Sequence, residues 1–146
     1  MASQPRLVGA HMTLWPHSIG RDQPMARASE RMRKHGVRHL PVLHQGQLVG
    51  IVSERDIALV EALGPLDPDK VLVEEAMTPE PYAVTPDMPL VRVVRELFRR
   101  KYGCAVVIDA GHVVGLFTTT DALRMLGELL GDDEPDVPAP ERVDLP

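Results

Sequence analysis

Aromatic residues are scarce: one Trp, two Tyr and two Phe make up 3% of the 146 residues. A core must therefore be assembled from Val, Leu, Ile, Met and Ala, and the 44% apolar share is normal for a globular chain. Cysteine is limited to Cys104, which excludes an internal disulfide. A reducing, cytoplasmic setting is the expectation. No apolar run approaches the roughly 20 residues that span a bilayer, and residues 1–11 carry no apolar signal-peptide core. No membrane association is expected. Excess positive charge is missing too. Net charge is −5. It resides in residues 131–146, where Asp132, Asp133, Glu134, Asp136, Glu141 and Asp144 face Arg142 alone. The rest sums to zero, so the folded part has no overall basic bias toward nucleic acid, and none is expected as a partner.

Catalytic and metal signatures are also absent. The six histidines include no His-Glu-x-x-His pattern, and one cysteine cannot form a paired-cysteine site. His35 and His39 are four apart, but Gly36 interrupts the helix that would align them. There is no glycine-rich dinucleotide or Walker-type loop. Cys104 has no partner pattern for nucleophilic catalysis and reads as an inert thiol. The expectation is no metal, no required cofactor and no enzyme activity.

What the chain does contain is itself, twice, at a constant offset of 65 residues. Leu7-Val8 matches Leu72-Val73, Met12-Thr13 matches Met77-Thr78, and Asp22 and Pro24 match Asp87 and Pro89. Val42, Gly46, Val49, Gly50 and Asp56 match Val107, Gly111, Val114, Gly115 and Asp121, with no gap.

Each copy opens with an extended piece, 17–20 or 82–85, followed by a proline at the first helical position, Pro24 or Pro89. Leu90, Val93, Val94, Leu97 and Phe98 then follow helical spacing. Met25, Ala28 and Met32 do so more weakly. Gly36 and Gly103 suit helix termination. Apolar runs 40–43 and 48–52 flank a turn at Gln45-Gly46, and 106–108 and 113–117 flank Gly111, so both read as hairpins. Second helices are expected over about 54–63 and 119–130. The domains are 7–63, a linker 64–70, 71–130, and an acidic, proline-rich tail 131–146 expected to be flexible and to add little to folding. A unit of about 55 residues buries too little apolar area to be comfortable alone. Packing two through their sheets solves that problem.

Segments 36–42 and 48–56, their counterparts 105–109 and 113–121, and the openings Met12-Thr13 and Met77-Thr78-Pro79 resemble the CBS-domain family, in its two-repeat arrangement called a Bateman module. The resemblance covers about residues 7–130. It implies an α/β fold of two tandem CBS repeats, βαββα each, each with a three-stranded sheet, packed about a pseudo-twofold axis. It also implies two clefts that take adenosine ligands such as AMP, ADP, ATP or S-adenosylmethionine, and a homodimer forming a flat disc of four repeats.

Ser53-x-x-Asp56 and Thr118-x-x-Asp121 have two compatible readings. A hydroxyl followed three residues later by an acid is a variant capping box. By resemblance, the Asp holds ribose hydroxyls. Arg38 and His39 read either as a solvated pair or as a phosphate clamp. Family positions add Glu80, Tyr82 and Tyr102 to the Asp56 cleft. They assign Trp15, His17, Val37, Thr118 and Thr120 to the Asp121 cleft, where Trp15 either stacks on a base or simply packs. Gly103 and Cys104 correspond to Arg38 and His39 and bring no charge. The clefts should therefore differ, with phosphate preferring Asp56. The function implied is a regulatory module that binds an adenine nucleotide and signals to an unidentified partner. The alternative is a ligand-free protein-interaction or dimerisation scaffold.

Overall fold

The computed structural model describes residues 4–131. The acidic segment 132–146, and with it the expectation of a flexible tail, lies outside the described residues. A 3-10 turn at Val8–Ala10 is followed by β1 (Thr13–Leu14), β2 (Ile19–Gly20), α1 (Met25–His35), β3 (His39–His44), β4 (Gln47–Ser53) and α2 (Glu54–Glu61). The second half runs α3 (Val73–Ala76), β5 (Thr78–Pro79), β6 (Ala83–Val84), α4 (Leu90–Arg100), β7 (Cys104–Asp109), β8 (His112–Thr118) and α5 (Thr119–Leu130). Each copy thus contains the βαββα order.

The 65-residue offset survives in three dimensions. His39 pairs with Ser53 and Cys104 with Thr118, and each hairpin has its register irregularity at the equivalent place, Val42/Leu43 and Val107/Ile108. Gln45-Gly46 and Ala110-Gly111 both turn with positive φ at each residue, the conformation that two-residue hairpins favour.

The sheets differ from the three-stranded units implied by the resemblance. Their orders are β1-β8-β7-β6 and β2-β3-β4-β5, so each copy lends its opening strand to the other copy's sheet. Thr13 lies opposite Leu116, and Thr78 opposite Ile51. The exchange extends to the helix starts: Leu7 bridges Pro89 and Leu72 bridges Pro24, while Val8 N–H donates to the Met88 carbonyl and Val73 N–H to the Gln23 carbonyl. The Met12 side chain fills the space a Cβ on Gly115 would need, and Met77 does the same at Gly50.

Alternation along the strands divides the core in three. Leu40, Val42 and Val52 point to α1, α2 and the Val73 turn. Ala105, Val107 and Phe117 point to α4, with Val8. The intervening Cys104, Val106 and Leu116 meet Leu48 and Ile51 between the two sheets. The copies therefore pack through their sheets.

Three helix-end readings need correction. Pro24 and Pro89 are N-caps with extended backbone, and the helices begin one residue later. Gly36 does cap α1 in the left-handed conformation, but α4 ends at Lys101 (φ 60°), not Gly103. The last turn of α4 closes through Lys101 N–H to the Leu97 carbonyl, two residues before the glycine. Gly103 serves space instead: a Cβ there would lie 2.7 Å from His39 Nε2. The second helix of the first copy stops at Glu61, two residues short of the expected end.

Candidate functional site

Where β4 passes into α2, the backbone must change from extended to helical, leaving amide groups without helical partners. Ser53 and Asp56 satisfy two of them. Asp56 N–H donates to Ser53 Oγ at 3.0 Å and Ser53 N–H to Asp56 Oδ2 at 2.9 Å. The capping box is real, and it uses one carboxylate oxygen. The other, Oδ1, receives only a long 3.4 Å contact from the Thr78 hydroxyl, and Asp56 remains partly exposed.

That second oxygen belongs to a cavity of about 750 Å3 between the copies. Its first-copy wall includes Arg38, His39, Ser53 and Asp56; its second-copy wall includes Glu80, Tyr82 and Tyr102. All seven residues assigned to the Asp56 cleft from sequence are therefore brought together. Sequence reasoning missed Arg55, Thr78 and Lys101, and did not place Gly103 and Cys104 in this wall. The exchange of β5 carries Thr78 and Glu80 to it. The pairing of Met77-Thr78 with Met12-Thr13 was the available signal.

Charge in the cleft is mixed. Arg38 is largely exposed and 3.8 Å from Glu54, a separation that contributes little in water. Arg55 and Lys101 face it as further cations, with Glu80 as a further acid. The rings of Tyr82 and Tyr102 stack with centroids 5.6 Å apart. Burial raises the Tyr82 hydroxyl above its ordinary pKa, with Glu96 adding to the effect. The half-buried His39 is held below its ordinary 6.5, first by burial; Asp56 pulls it back up and Arg38 presses it down. At neutral pH its imidazole can donate or accept, but carries no charge. Burial, with Asp56, pushes the Cys104 thiol up to about 12, as an inert sulfur requires.

The equivalent position in the second copy is chemically different. Asp121 is only 6% exposed. Its Oδ2 accepts from Thr118 N–H at 2.8 Å and Thr118 Oγ1 at 3.0 Å, and Arg124 lies 3.4 Å from Oδ1. Oδ2 is engaged by the N-cap Thr118 at the end of β8 and Oδ1 faces Arg124 of α5. The other residues assigned to this side are dispersed in their contacts. His17 stacks on His35 with ring centroids 3.6 Å apart. Val37 packs against the first core, and Thr120 is exposed. Trp15 is 72% exposed, with its backbone N–H donating to the Val114 carbonyl.

Among the described residues no group of three or more His, Cys, Asp or Glu could hold a metal ion, and no helix is long and apolar enough to cross a membrane.

Comparison with known proteins follows the repeat. The CBS-domain family model matches residues 16–62 and 73–128. An inosine-5'-monophosphate dehydrogenase of Korarchaeum cryptofilum is 30% identical over 105 residues, which are 71% of this chain and 21% of that enzyme. The chain thus spans about a fifth of this curated relative's length. The CBS domain pair of protein MJ0100, solved with 5-methylthioadenosine and S-adenosyl-L-methionine, aligns at a TM-score of 0.76 and 27% identity, covering 86% of this chain and 99% of that one. CBSX2 of Arabidopsis thaliana, solved with AMP, aligns at 0.74 and 25% identity, covering 84% and 97%. With both halves matched by the family model and the whole fold matched by domain pairs, the chain belongs to the CBS-domain family as a tandem CBS pair.

Proposed function

We infer that the chain is a regulatory module whose Asp56 cleft binds an adenine nucleotide, AMP, ADP or ATP, and passes the bound state to a partner protein. The observation that carries this reading is the partly exposed Asp56, whose Oδ1 meets only the Thr78 hydroxyl at 3.4 Å, at a cavity lined by Arg38, Lys101 and a tyrosine pair. A carboxylate oxygen can accept from a ribose diol, arginine can bind phosphate with two parallel hydrogen bonds, and an aromatic pair offers a face to a purine. The AMP complex of CBSX2 and the S-adenosylmethionine complex of MJ0100 support an adenosine ligand in a fold of this type. The engaged carboxylate of Asp121 supports unequal clefts: the second takes a less charged adenosyl ligand or none.

A titration with AMP, ADP, ATP and S-adenosylmethionine tests this reading. Ligand at about a hundredfold excess over Kd stabilises the native state by about 2.7 kcal/mol, which raises the melting temperature by several degrees. No shift with any of the four, and no calorimetric heat, would leave the scaffold reading.

A specific observation bears on assembly. Val91, Val94 and Phe98 on α4 and Leu123, Leu126 and Leu130 on α5 are exposed at helical spacing. Apolar stripes of this kind mark interaction surfaces, and a self-complementary patch closes as a twofold dimer. A homodimer through these helices is therefore part of the proposal. Sedimentation over a range of concentrations should show it, and Phe98→Glu should shift the equilibrium to monomer.

A further inference from the structure

We propose that His39 sets the ligand preference of the Asp56 cleft by taking up a proton when a phosphate arrives, favouring adenosine phosphates over uncharged or cationic adenosyl ligands. The inference rests on the nucleotide reading above and adds a mechanism of selection to it.

His39 begins β3 and points between the sheets, alternating with Leu40 and Val42, which face the first core. Its ring lies against Gly103 of the other copy, at a position where any side chain would collide with Nε2. The imidazole is thus held in the cleft wall by a contact across the repeat boundary. The ring lines the cleft beside Asp56 and Arg38, so its protonation answers to the charge that fills the cleft.

The charges around it nearly balance. Arg38 adjoins it on its own element, and α2 supplies Glu54, Arg55 and Asp56. The second copy supplies Glu80 before β6 and Lys101 after α4. Three cations and three carboxylates thus line the cleft; at the imidazole itself burial is the largest influence and lowers the pKa, with Asp56 raising it and Arg38 lowering it. Tyr82 and Tyr102 also line the cleft; Tyr82 and Cys104 are both pushed upward and stay neutral through this range.

A bound phosphate breaks the balance. It brings up to two negative charges into a partly desolvated site, where opposite charges favour each other more than in water. One proton then moves from solvent to the imidazole, and the resulting N–H donates a charge-assisted bond to the phosphate. An uncharged adenosine brings no such drive. A sulfonium ligand opposes it, since the imidazolium and the sulfonium carry the same sign.

The test follows the His39 Cε1–H resonance through a pH titration of the intact protein, free, with AMP, with adenosine, and with S-adenosylmethionine. AMP should raise the His39 pKa by about one unit or more, and adenosine should leave it near its free value. Each unit corresponds to a tenfold gain in AMP affinity at low pH relative to high. The ratio of AMP to adenosine affinity should therefore grow as pH falls from about 8 to about 7, above the phosphate's own second ionisation near pH 6. In His39→Gln that growth should vanish; the resonance titration needs no variant and stands if the variant fails to fold. AMP that binds and shifts other cleft resonances without moving the His39 pKa overturns the proposal and leaves the nucleotide reading intact. AMP that moves no cleft resonance overturns both.

Discussion

At residue scale, the same amino-acid type does different work in the two copies. Gly36 supplies a left-handed helix end, whereas Gly103, misread from sequence as another, supplies room for His39. A glycine needed for space and a glycine needed for φ look identical in a single sequence, because the difference lies in a contact from another part of the chain. Gly103→Ala should therefore force the imidazole aside and cost about 1–3 kcal/mol, the usual range for an overpacked site. Urea unfolding measures it, and an unchanged midpoint would show that the ring gives way freely. Asp56 and Asp121 were legible as capping acids and as candidate ligands, and their clefts as unequal through Arg38 and His39; the contact of Arg124 with Asp121 was not. Arg124, three residues past Asp121, sets a cation 3.4 Å from Oδ1, where Asp56 Oδ1 has only the neutral Thr78 hydroxyl at the same distance.

His39 also gives the empty protein a pH signature. Its folded pKa is lowered from 6.5 by burial, so the unfolded chain binds a proton at higher pH than the folded one. The stability this group contributes is present above its unfolded pKa and is lost as pH falls through that value toward the folded pKa. Ligand-free stability should decline from about pH 7 to about pH 5, and His39→Gln should flatten part of the decline. An identical decline in the variant would assign the effect to other groups.

At the scale of elements, hairpins and long helices were readable because their signals are local: apolar runs around Gln45-Gly46 and Ala110-Gly111, and the spacing of Leu90, Val93 and Leu97. The exchange of β1 and β5 was not, because a two-residue strand has no periodicity and its partner lies in the other copy. Its signature was nevertheless in the repeat, where Met12 and Met77 recur together with Gly115 and Gly50, the positions their side chains cover. Gly50→Ala should collide with Met77 and loosen β5, lowering stability by about 1–3 kcal/mol. Since β5 carries Thr78 and leads to Glu80, AMP affinity should fall with it. The end of α4 shows the reverse relation between strain and function. Lys101 adopts the left-handed conformation, which costs a non-glycine residue about 1–2 kcal/mol; the residue borders the cleft, with its ammonium 4.4 Å from the Phe98 ring centroid. Lys101→Gly should keep or raise the melting temperature while weakening AMP binding. A variant that is no less stable and binds as well as the parent would show that this cation is idle.

At the scale of the molecule, two copies too small to stand alone share their sheets, their opening segments and a cleft. The copies meet in the shared cleft, where His39 lies against Gly103 and Asp56 meets Thr78. The copies are equal in backbone and unequal in side-chain chemistry, and that inequality is the centre of the account. It is tested most directly by calorimetric titration of AMP into the parent chain, Asp56→Asn and Asp121→Asn, where asparagine keeps an acceptor for the capping hydrogen bond. One high-affinity site per chain is expected, weakened about tenfold or more in Asp56→Asn, the loss of one charge-assisted hydrogen bond, and nearly unchanged in Asp121→Asn. A site that survives Asp56→Asn and disappears in Asp121→Asn would contradict it.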